Sequence, residues 1–278
     1  MSDDSEREVI ESVGLFEAAV RATPVALELP TVRVIAVALD GSNQDETARA
    51  LARALAQRFG AEVRERSKLS SAAEILRFRA DSAADLIVIP VPFGRDIGQL
   101  KDESLGSVVD MLLVESPAPV LCVRQVMTEP DVAAALRAIV LPLCTHPAPY
   151  GLAAGWAMRL AAGGDLSVLA IVDQDMFDEA RRLIGAAASP EAWTEEALAR
   201  AFAGELGGLM AALQRGGRSA QTAVHVRVSL GRPAEVVLEE ANAQPTLIVS
   251  AHVRDHQAAA DHLAADLILG ARGPVLVV

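Results

Sequence analysis

Aromatic residues are scarce in this chain: two Trp, one Tyr and six Phe make up 3% of 278 residues. So thin an aromatic content argues against a carbohydrate-binding surface and against an all-β sandwich, and the abundant Ala, Val and Leu suit close-packed helices on a sheet of branched strands. Cysteine is scarcer still. Cys122 and Cys144 both fall in apolar segments, and two thiols in a chain this long make no disulfide framework, so both are read as small buried apolar groups. Positive charge is in deficit, with 25 Lys and Arg against 37 Asp and Glu and a formal charge of -12. With no basic run, nucleic acid and anionic membrane surfaces are poor partners. No apolar stretch approaches the roughly 18 residues of a spanning helix. The start Met1-Ser2-Asp3-Asp4-Ser5-Glu6 is acidic where a signal peptide is basic, so a cytoplasmic location is expected. Familiar catalytic signatures are missing too: no Gly-x-Ser-x-Gly elbow, no Gly-Lys-Ser phosphate loop and no Cys-x-x-Cys, so an enzyme is not the expectation.

What is present is a repeat. Arg33 to Asp40, an apolar strand, matches Arg137 to Cys144; Ala84-Asp85-Leu86-Ile87-Val88-Ile89 returns as Thr246-Leu247-Ile248-Val249; Pro119-Val120-Leu121-Cys122-Val123 returns as Pro274-Val275-Leu276-Val277-Val278. One fold used twice is the simplest account, and the length agrees with two domains. Cys144 stands 104 residues after Asp40 and Thr246 161 after Asp85, so the second copy holds 57 more residues and the first is short of a strand and helix.

The expected organisation is a leader over 1–30, a first domain over 31–126 and a second over 136–278, with a linker from Gln125 to Asp131. Val9, Ile10, Val13, Phe16 and Val20 fall near helical spacing, so the leader is expected to hold a helix over 5–21 that docks on the first domain or a partner. The first domain reads as strand 32–39, helix 44–58, strand 61–66, helix 71–80, strand 85–90, helix 104–115 and strand 119–124. The second reads as strand 137–143, helix 149–162, strand 166–172, helices 174–186 and 190–214, strand 222–229, helix 233–243, strand 246–250, helix 258–269 and strand 274–278. This alternation predicts parallel α/β sheets. The charged strand 61–66 belongs at an edge.

These residues resemble a known family. A strand ending in Leu39-Asp40-Gly41-Ser42, a helix ending in Phe59-Gly60-Ala61, the Ala84 to Val88 strand and Leu105-Gly106-Ser107-Val108 ahead of Pro117-Ala118-Pro119 look like the universal stress proteins. In the second copy Leu230-Gly231-Arg232-Pro233 and the worn turn Ser250-Ala251-His252-Val253-Arg254 are similar to further family segments. The resemblance implies two tandem, open parallel sheets of the five-stranded type with helices on both faces. This is a Rossmann-like arrangement also shared by adenine nucleotide α-hydrolases. It also implies that the closing strands pair, giving a built-in pseudo-dimer open to further homo-oligomerisation.

Some members of that family bind ATP at the carboxyl ends of the strands, which would place the nucleotide on Asp40, Gly41, Ser42, Gly94, Gly106 and Ser107 of the first copy. The second copy has Cys144-Thr145-His146, Ser250 and Val253 at the matching positions and is not expected to bind it. Against ATP in the first copy, Pro90-Val91-Pro92 removes amide donors, and Asp102-Glu103 brings negative charge. The residues therefore leave open a nucleotide-responsive stress regulator, a nucleotide-free interaction or scaffold protein, and a weak ATPase with Asp102 or Glu103 as base. Phe93 discriminates: folded inward, it favours the nucleotide-free alternative. His252, His256 and His262, with Asp255 and Asp261, read as a polar loop rather than a metal site.

Overall fold

The computed structural model describes residues 26–93, 105–144, 150–175, 177–179, 206–251 and 260–278. The predicted leader helix, Gly94, Gly98, Asp102 and Glu103, and the loop holding His252 and His256 lie outside the described residues, as does the side chain of His262.

The first strand, β1 (Val34–Leu39), is apolar throughout and all but fully buried, as a strand covered on both faces must be. Helix α1 (Asp45–Phe59) follows, with Ala48, Leu51, Ala52 and Leu55 buried on one stripe and Asp45 and Glu46 at the positive end of its dipole. It stops at Gly60, whose φ of 69° lets its amide bond back to Ala56. Then come β2 (Glu62–Ser67), α2 (Ala72–Ser82), β3 (Leu86–Pro90), α3 (Ser107–Glu115) and β4 (Val120–Val123).

The segment read as a linker is partly helical. Thr128 and Asp131 form a reciprocal cap, each side chain accepting the other's backbone N–H, and launch α4 (Glu129–Ala135). Thr-x-x-Asp with a proline between is a start signal, and it ends the linker at residue 127. The rest of the chain is β5 (Ala138–Cys144), α5 (Tyr150–Leu160), β6 (Asp165–Asp173), α6 (Gly207–Ala220), β7 (Ala223–Gly231), α7 (Pro233–Ala241), β8 (Leu247–Ser250), α8 (Ala260–Gly270) and β9 (Val275–Val277).

All nine strands form one sheet in the order β2-β1-β3-β4-β9-β8-β5-β6-β7. Every pairing is parallel except β4 with β9, where Val120, Leu121 and Cys122 face Val277, Leu276 and Val275. The expected pair of sheets is thus a single sheet joined edge to edge at the two closing strands. Its outer edges, β2 and β7, carry exposed and charged side chains that discourage further pairing. Between β1 and β3 the chain makes one strand, β2, whereas between β5 and β8 it makes two, β6 and β7. Part of the 57 additional residues forms an extra strand and α6 in this interval.

Strand residues alternate between two core layers. Ile35, Val37 and Leu39 pack with Leu51, Leu55, Trp156 and Leu160 on one face; Ala36, Ala38 and Ile87 pack with Ile75, Leu112, Val237 and Leu267 on the other. Ahead of β1, the leader residues Ala26 to Glu28 lie on the carboxyl-terminal half of the molecule rather than on the amino-terminal one. A Cβ at Gly155 of α5 would overlap the Glu28 carbonyl oxygen, and one at Gly216 of α6 would touch Leu27. Among the described residues no helix is long and apolar enough to cross a membrane.

Candidate functional site

In an open α/β sheet, ligands lodge at the carboxyl ends of the strands where successive connections leave on opposite faces, here between β1 and β3. Asp40 ends β1 and is half-buried; its Oδ1 accepts the Ser42 amide at 3.0 Å. Gly41 turns the chain with φ of 93°, a conformation that favours glycine, and its amide donates to Oδ2 of Asp45 at 3.0 Å. Asp45 is only 8% exposed. Burial, and more weakly the neighbouring Asp40 charge, push its carboxyl above the ordinary range against the pull of the Gly41 bond. The other Asp45 oxygen, Oδ1, and the Ser42 hydroxyl are buried without a hydrogen-bond partner among the described residues.

Gly106, with φ of 87°, leads into α3, and the exposed Ser107 is that helix's first residue. Glycine turns therefore stand at both ends of the region, as the sequence predicts for Asp40-Gly41-Ser42 and Gly106-Ser107.

The described end of β3 is buried. Pro90, Val91, Pro92 and Phe93 are all buried, Val91 at 1% and Phe93 at 4% exposure, and both apolar side chains belong to the core layer of α2 and α3. The Val91 amide is spent on the Val123 carbonyl at 2.8 Å, and prolines 90 and 92 have none to offer. Gln44, 2% exposed, donates its side-chain amide to the Arg124 carbonyl at 3.1 Å. That bond runs from the end of β1 to the end of β4, the strands on either side of β3. Thr47 adds a second tie, accepting the Met127 amide at 3.0 Å. At the β3 end the described residues therefore present buried apolar side chains and no free amide from residues 90–92. Sequence reasoning singled out Phe93 but missed Gln44, since a polar residue at a helix start shows no partner 80 positions away.

The matching place in the carboxyl-terminal half is filled differently. Tyr150, the only tyrosine of the chain, receives the Cys144 amide on its hydroxyl oxygen at 2.8 Å and donates to the Cys144 carbonyl at 2.6 Å. Cys144 is half-buried rather than fully buried as expected, and burial together with the Asp173 charge pushes its thiol up to about 12, so it is inert at neutral pH. Cys122 is fully buried, and burial raises its thiol as well. Ser250 is 1% exposed at the end of β8. Thr145, His146 and Val253 are outside the described residues. Among the described residues no group of three or more His, Cys, Asp or Glu is arranged to hold a metal.

No protein-family model and no curated protein matches the chain. Solved structures do. A protein provisionally described as a universal stress protein from Pseudomonas aeruginosa UCBPP-PA14 superposes with a TM-score of 0.52 at 14% identity, covering 89% of this chain and 93% of its own. A universal stress protein from Archaeoglobus fulgidus DSM 4304 superposes with a TM-score of 0.51 at 15% identity, covering 88% and 87%. At these identities the likeness concerns architecture, and the fold of this chain is that of the universal stress proteins.

Proposed function

We propose that this chain is a stress-response regulator of the universal-stress-protein type, built from two copies of the fold, that works through protein contacts without binding a nucleotide. The observation that carries this reading is the filled β3 end, where Val91 and Phe93 are core residues and Gln44 bridges the flanking strands. Fold alone does not decide between a nucleotide sensor and a scaffold, and the buried β3 end supports the scaffold. A second reading, an ATP-responsive first copy, is favoured by one observation. The positive φ of Gly41 and of Gly106 keeps the turns that a phosphate cradle ahead of α3 requires.

Calorimetric titration with ATP and Mg²⁺ separates the two. The expected result is no saturable heat up to roughly 1 mM nucleotide, weaker than about -4 kcal/mol of binding. Saturation at one site per chain, lost in both Asp40→Ala and Gly106→Val, replaces the first reading with the second.

A further inference from the structure

The carboxyl ends of α1 and α5 meet on one face of the sheet, where Phe59 stands edge-on to Trp156 with ring centres 6.1 Å apart. Three arginines gather around this contact. Arg58 is half-buried and directs one Nη to the carbonyls of Leu136 and Leu160. Arg159 lies 5.6 Å over the Phe59 ring. Arg137 is exposed at the entrance to β5. The mutual repulsion of their charges adds to burial in lowering the Arg58 guanidinium pKa.

In a chain of net charge -12, none of the three is paired with a carboxylate within 4.0 Å among the described residues, unlike Arg49 or Arg53 on the same helix as Arg58. Beside them opens a cleft of about 590 Å³, within the size range of small-molecule sites. Arg58, Arg137, Asp165 and Gln244 are its polar walls, and Ala134 and Leu136 are among its apolar ones. Two guanidinium groups, Arg58 and Arg137, outnumber the one carboxylate there, Asp165, and leave a local positive excess that favours an anion. Asp165 already faces His225 at 3.8 Å. The Nε and second Nη of Arg58 and the whole Arg137 guanidinium carry no hydrogen bond among the described residues, and planar forks of this kind match carboxylate and phosphate oxygens in pairs.

We infer that this cleft binds a small organic anion, an apolar body bearing one phosphate or carboxylate, with Arg58 and Arg137 on the anionic group and Ala134 and Leu136 against the body. The site lies apart from the β1 and β3 ends and does not depend on the fate of nucleotide there.

Calorimetry with phenyl phosphate, benzoate and inorganic phosphate tests it on the full chain. Phenyl phosphate is expected to saturate at one per chain, to bind at least about tenfold more tightly than inorganic phosphate, and to weaken as salt rises. Arg137→Glu, at an exposed position, is expected to weaken it by about tenfold or more while leaving the melting temperature near that of the parent. Ala134→Trp, which fills the cleft without touching charge, supplies the same loss by a different route. Neither phenyl phosphate nor benzoate saturating at about 10 mM, or an affinity unchanged in both variants, overturns the inference.

Discussion

Asp45 shows how much one buried carboxyl decides. It anchors the Gly41 turn through one oxygen while the other has no partner among the described residues, and burial raises its pKa above the unfolded value. The folded state then holds the proton more tightly than the unfolded one. Stability is gained as pH falls through the folded pKa, and the penalty is fully present above it. Asparagine keeps an acceptor for Gly41 without a titrating charge. Asp45→Asn is therefore expected to melt higher than the parent at neutral pH, with the advantage shrinking toward about pH 4. Paired thermal melts across that range measure it, and a difference that stays flat with pH contradicts the account. The Asp40-Gly41-Ser42 turn was legible in the sequence because Asp, Gly and Ser act on their own backbone neighbours. The unpartnered state of Asp45 Oδ1 was not, because it depends on what packs around it.

At the scale of elements, chain-local signals carried most of the reading. The apolar strands, the buried stripe of α1 and its Gly60 stop lie within a few residues of where periodicity and turn chemistry put them. Charged β2 sits at an edge because its Glu and Arg side chains require water. The exception is α4, hidden in what reads as a linker. Its reciprocal cap leaves Thr128 Oγ1 accepting from the Asp131 amide at 3.3 Å. Thr128→Ala removes that acceptor and is expected to cost about 0.5–2 kcal/mol, read as a lower midpoint in urea with an unchanged slope. No change in midpoint would mean that packing of Val132 and Leu136, not the cap, holds α4 in place.

For the whole molecule, the antiparallel joint of β4 and β9 makes one sheet of two sets of strands that run in opposite directions. Leu276 is 1% exposed there and faces Leu121. Leu276→Ala is expected to destabilise by about 2–5 kcal/mol. Unfolding followed by circular dichroism and by tryptophan fluorescence is expected to remain a single coincident transition, since neither edge of the joint is satisfied alone. Two separated transitions would show halves that fold independently. The leader is a second tie between the halves, crossing α5 at Gly155 before it enters β1. Gly155→Ala pushes a methyl group into the Glu28 carbonyl and is expected to cost about 1–3 kcal/mol. Faster proteolysis near residue 28 would accompany it, and unchanged cleavage would argue against a seated leader.

The sequence by itself determined the order of the strands and, α4 apart, of the described helices, the shorter first half and the glycine turns at Gly41 and Gly60, all set by interactions within a few residues. Only the tertiary structure decided that Phe93 is buried at the β3 end, that Gln44 ties the end of β1 to β4, that Tyr150 caps the end of β5, and that Arg58, Arg137 and Arg159 converge beside an open cleft. The reason is physical. Local chemistry acts through neighbours along the chain, whereas Gln44 with Arg124 and Arg58 with Leu160 are contacts across 80 and 102 positions. Such contacts form only after the whole sheet has brought its helices together.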